Sequence, residues 1–84
     1  MSQELTAAEA LTRANNAETL LADPTLQKAF ESVRQSILLR IEDSAIGERD
    51  FHHEAALSLQ ALKAVKRQLQ KWVDDGKLIR ERSK

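Results

Sequence analysis

Residues 50–76 carry an apolar stripe at helical spacing, and a stripe of that length limits the chain to folds that can cover it. Phe51, Ala55, Leu62, Val65, Leu69 and Trp72 recur along it, with Ser58 as the one polar member of the seam. Leu59 and Val73 widen the stripe beyond the two-position seam of a simple coiled coil. Asp50 suits the N-cap, where a carboxylate accepts from backbone donors that have no partner inside the helix. Asp74-Asp75-Gly76 ends the pattern with a glycine free to take the left-handed conformation that closes many helices. A helix is therefore expected over about residues 50–75, followed by a flexible basic tail over 77–84.

Two more helices precede it. Thr6-Ala7-Ala8-Glu9 fits a capping box and opens a helix over about residues 6–22. Its stripe of Leu11, Ala14, Ala17, Leu20 and Leu21 is thin and rich in alanine. Such a face allows another helix to approach closely but buries little area, so this reads as the weakest of the three. Asp23-Pro24 is a strong boundary: proline disfavours helical geometry in the residue before it and suits the first turn of a new helix. The second helix is expected over about residues 24–42, with Leu26, Phe30, Val33, Ile37 and Ile41 on one face, flanked by Ala29 and Leu38. Ile37-Leu38-Leu39 alone suits a strand, but it sits inside a longer helical period without Gly or Pro. Residues 43–49, containing Ser44 and Gly47, form a loop of normal length for an antiparallel connection.

The expected fold is all-α: a short N-terminal helix followed by an antiparallel helical hairpin, within a single domain over residues 1–84. The packing seam should set Phe30, Val33, Ile37 and Ile41 against Phe51, Ala55, Leu62, Val65, Leu69 and Trp72. At 84 residues there is room for one small core, and much of the 42% apolar content is alanine. A core of that size rarely supplies more than about 3–5 kcal/mol of net stability. With no cysteine, neither a disulfide nor a thiolate metal site can add to it. Self-association, or docking on a larger protein assembly, is the expected source of the rest. No signal-peptide pattern and no apolar run near the ~20 residues that span a bilayer is present, so the expected location is cytoplasmic, without membrane contact.

The formal net charge of zero hides an asymmetry. Residues 1–62 carry ten acidic and five basic side chains, whereas residues 63–84 carry three acidic and eight basic. A chain polarised in this way suits head-to-tail pairing with its own copies, and its basic end suits phosphates. Lys63, Lys66, Arg67 and Lys71 recur at steps of three and four and continue into Arg80 and Arg82, the six candidate phosphate contacts. No aromatic residues interleave with them to stack bases, because Trp72 belongs to the seam. Nucleic-acid binding is therefore the secondary expectation.

Catalytic chemistry has little to stand on. His52-His53-Glu54 is the one cluster that invites a metal or active-site reading, but adjacent helical residues point about 100° apart and cannot grip one ion as an i, i+4 pair does. The carboxylate pairs Glu42-Asp43 and Asp74-Asp75 fall at expected helix ends, where charge is ordinary. Gly47 and Gly76 cannot form a phosphate-cradling loop, and no serine sits in a nucleophile elbow. No catalytic residue, cofactor or metal is expected.

The segment Ala14-Asn15-Asn16-Ala17-Glu18-Thr19-Leu20-Leu21, then Asp23-Pro24 leading into Ala29-Phe30, and finally Ala61-Leu62-Lys63-Ala64-Val65 running to Gly76-Lys77-Leu78 carry a resemblance. In that order, over roughly residues 14–78, the chain resembles small helical proteins encoded by tailed bacteriophages among their head and packaging genes. The resemblance implies a virion- or assembly-associated role, in the host cytoplasm or the particle, and supplies no catalytic residue.

Overall fold

The computed structural model describes residues 5–44, 47 and 49–82. They form three helices, α1 (Ala7–Ala22), α2 (Pro24–Asp43) and α3 (Arg49–Arg82), and no strand occurs among the described residues.

Local chemistry sets most of the boundaries. Thr6 is extended, and its Oγ1 accepts from the Glu9 backbone N–H at 3.1 Å. The Thr6 hydroxyl donates in turn to the Glu9 carboxylate at 2.9 Å. Asp23 alone separates α1 from α2; its φ of −72° and ψ of 117° are the extended geometry that Pro24 requires of its predecessor. The expected loop shortens, because α2 includes Asp43 and α3 starts at Arg49; Ala45, Ile46 and Glu48 lie outside the described residues. Asp50 is therefore not a cap but a first-turn residue, where its charge still complements the helix dipole.

The far end of α3 departs from expectation. The helix does not stop at Gly76 but continues to Arg82, for 34 residues or about 51 Å at about 1.5 Å per residue. Gly76 has no positive φ and so does not close the helix. It is buried instead, and a β-carbon built there would overlap the Ala14 side chain. The expected flexible tail is thus helical through Arg82, while Ser83 and Lys84 lie outside the described residues.

Contacts divide the chain into two compact units. Unit 1 comprises Met1–Asp23 and Lys66–Lys84; unit 2 comprises Pro24–Val65. In unit 1, Ala17, Leu69 and Val73 form the core, with Leu21 and Trp72 packed against it. Leu69 and Trp72, expected opposite α2, thus pack with Ala17 and Leu21 of α1 within unit 1. Ala14 and Ala17 of α1 are the most buried apolar residues among those described, at 2% and 1% exposure. Their small side chains let the backbones come close, and closeness replaces bulk.

Unit 2 is much more open. Its two helical segments run in opposite directions from the turn, with the Arg40 guanidinium 5.6 Å from the Phe51 ring centre. No residue of α2 is buried. Phe30, Ile37, Ile41, Phe51 and Leu62 are half-buried, and Ala55 is the one buried apolar residue among the described residues of the unit. Val33 and Val65 were expected inside the seam, yet each is about half exposed, at 49% and 51%. A two-helix layer covers only part of a wide stripe, so its edges stay open.

Candidate functional site

His52 is the member of the His52-His53-Glu54 cluster that makes a defined contact. Its Nε2 lies 2.5 Å from Ser44 Oγ, just past the end of α2. Ser44 Oγ also donates to the Ile41 carbonyl at 2.6 Å. A hydroxyl has one proton, and a carbonyl can only accept, so that proton belongs to Ile41. Nε2 must then carry the hydrogen and donate to Ser44 Oγ. This polarity is the reverse of a nucleophilic Ser–His pair, in which the imidazole takes the hydroxyl proton. The contact ties the first turns of α3 to the last carbonyls of α2. His53 is exposed, and no group of three potential ligands is arranged for a metal among the described residues.

The carboxylate pairs separate. Glu42-Asp43 closes α2, whereas Asp74-Asp75 sits in the interior of α3, because the helix runs on. Asp74-Asp75 is thereby kept away from the negative C-terminal end of the helix dipole.

Unit 1 holds an open groove of about 490 Å³ lined by Ala8, Thr12, Arg13, Leu20, Leu69 and Trp72 among others. The Arg13 guanidinium stands 4.8 Å over the Trp72 ring. Its Nε is buried without a hydrogen-bond partner, so its favourable contact is the ring face. Arg13 lies four residues before Ala17 and seven before Leu20, on the same side of α1 as the alanine stripe, and sequence reasoning missed it because only apolar residues were counted on that face.

The six candidate phosphate contacts are all exposed and all on α3. Lys63 belongs to unit 2, and Lys66, Arg67, Lys71, Arg80 and Arg82 to unit 1. Within unit 1 the helical register sets Arg67, Lys71 and Arg82 along one outward strip and turns Lys66 toward the apolar side. Arg80 faces α1, where its Nη2 donates to the Asn15 side-chain oxygen. The basic set is therefore not a single strip.

The charge asymmetry is absorbed by the fold. Residues 1–23, with four acidic and one basic side chain, share unit 1 with residues 66–84, which have seven basic and three acidic. Head-to-tail attraction between copies is not needed to balance the chain. Comparison with known protein families, curated proteins and solved structures finds no match.

Proposed function

We propose that this chain is a non-enzymatic, self-associating helical module that serves in phage particle assembly or a comparable complex. The observation that carries the reading is α2: a helix bearing Val33, Ile37, Leu38 and Ile41 has no buried residue. A helix with an apolar face draws its stability from covering that face, and a second surface supplies the cover. The His52–Ser44 polarity favours a structural role over catalysis at the one histidine cluster. Light scattering at micromolar concentration should give a mass above the 9.5 kDa of one chain. A stable 9.5 kDa species over a broad concentration range would defeat the proposal. The assembly setting is tested by the genes beside this one: portal, capsid or terminase neighbours support it, and a neighbourhood free of phage genes removes it.

A second reading, a small DNA-associated packaging or regulatory protein, draws on the helical order of α3 through Arg82. That order places Arg67, Lys71 and Arg82 on a regular strip and not on a frayed tail. Binding to duplex DNA would then weaken with salt at a log–log slope near −0.9 per phosphate neutralised. Replacing Lys63, Lys66, Arg67 and Lys71 by Gln should remove that binding and leave the ellipticity unchanged. The expected outcome is no saturable binding at physiological salt, where even non-specific binders reach about 10⁻⁴–10⁻⁶ M.

A further inference from the structure

We propose that the groove of unit 1 is a binding site for a monocarboxylic acid with an apolar body. The carboxylate is held by Arg13 and Asn16, and the body lies on Ala17, Leu20 and Leu69. This site belongs to the unit that does not carry the self-association reading, and the two stand or fall separately.

Arg13 supplies the reason for an anion. It is half-buried, and its guanidinium stands over Trp72 at 4.8 Å. Among the described residues no carboxylate or carbonyl accepts from it. Stacking uses the face of a guanidinium and leaves the edge donors in one plane, the arrangement that grips a carboxylate by two parallel bonds. Of those donors Nε is the enclosed one, so the terminal Nη groups are the ones open to a ligand. Asn16 follows three residues later on the same face, exposed, and its side-chain amide has no hydrogen-bond partner among the described residues. The other polar side chains of the groove are engaged. The Thr12 hydroxyl donates to the Ala8 carbonyl at 3.0 Å, and the Glu9 carboxylate accepts from the Thr6 hydroxyl at 2.9 Å.

The surroundings choose the kind of anion. Ala17, Leu20 and Leu69 give an apolar bed beside Arg13, which suits a hydrocarbon body and not a bare inorganic ion. One cation matches one negative charge, and Glu9, a turn before Arg13, repels a second, which disfavours a phosphate dianion. The volume of about 490 Å³ falls within the roughly 300–1,000 Å³ of small-ligand sites. A helix from another protein is the poorer fit. Docked helices anchor over two turns or more, whereas α3 lines this groove with Leu69 and Trp72, a single turn.

The test is an NMR titration of the full chain with octanoate, octylammonium and acetate, reading backbone amides, the Arg13 Nε–H and the Trp72 indole N–H. Octanoate should shift the Arg13, Asn16, Leu20 and Trp72 signals saturably, with half-saturation at or below about 1 mM, while residues 24–65 stay unmoved. Octylammonium keeps the tail and reverses the charge, and acetate keeps the head and loses the tail. Each should bind at least about tenfold more weakly. Arg13→Gln should weaken octanoate at least about tenfold without weakening octylammonium. Leu20→Glu, at a 45% exposed position that the fold tolerates, should weaken octanoate as much. Ellipticity is recorded for both variants, and the three-probe comparison on the unmodified chain decides even if a variant unfolds. No saturable shift with octanoate up to about 10 mM overturns the proposal. So does equal binding of octanoate and octylammonium, unchanged octanoate binding in folded Arg13→Gln, or shifts centred on residues 24–65.

Discussion

Gly76 shows how a residue can be chosen for what it lacks. Inside a helix glycine costs roughly 0.5–1 kcal/mol relative to alanine, and a chain carrying only two glycines has placed one in the interior of its longest helix. The reason is Ala14, whose β-carbon occupies the space a Gly76 side chain would need. Neither backbone nor an alanine methyl can rotate away, so the helices would have to separate. Gly76→Ala should therefore destabilise by about 1–3 kcal/mol despite its better helix propensity. Adding Ala14→Gly to that variant should recover part of the loss. Gly47 has nothing within 4 Å of its would-be β-carbon, and Gly47→Ala should change little. Thermal midpoints by circular dichroism check all three, since about 1 kcal/mol moves the midpoint of a domain this size by roughly 4–8 °C. A midpoint for Gly76→Ala at or above that of the unmodified chain would show that the crossing has room to spare.

Among the helices, the contrast between Leu62 and Leu69 separates what periodicity reveals from what it hides. Both lie on the stripe of α3, and Leu62 is nearer its middle, yet Leu69 is buried at 8% exposure and Leu62 only half-buried. Leu69→Ala should cost about 2–5 kcal/mol, and Leu62→Ala clearly less, by the same midpoint measurement. Equal losses would mean that unit 2 is as well packed as unit 1. Three helices, their order and the break at Asp23-Pro24 were legible because caps, proline and a 3.6-residue period act locally. The assignment of partners was not. A period tells which residues share a face, and it is silent on which neighbour covers each part of a face longer than any single partner: α3 has 34 residues, α2 only 20. The stop at Gly76 misled for a related reason. Glycine permits a left-handed turn without imposing one, and Leu78 and Ile79 continue the helix beyond it. Of the candidate phosphate contacts, position on α3 was legible, but the turn of Arg80 toward Asn15 depends on α1 and could not be read from α3 alone.

Taken whole, the molecule balances its charge before it meets anything else. The acid-rich start and base-rich end of the chain share one unit, which leaves unit 2 nearly neutral. The same division has an optical consequence. Trp72 is the single tryptophan of a chain without tyrosine, and it sits in unit 1 beneath Arg13. Near-ultraviolet absorption and intrinsic emission therefore originate in one unit, and the two phenylalanines, one in α2 and one in α3, are too weakly absorbing to compete. A spectrum recorded on this protein describes the surroundings of a single indole ring, and unit 2, where association is proposed, is dark unless a chromophore is put there.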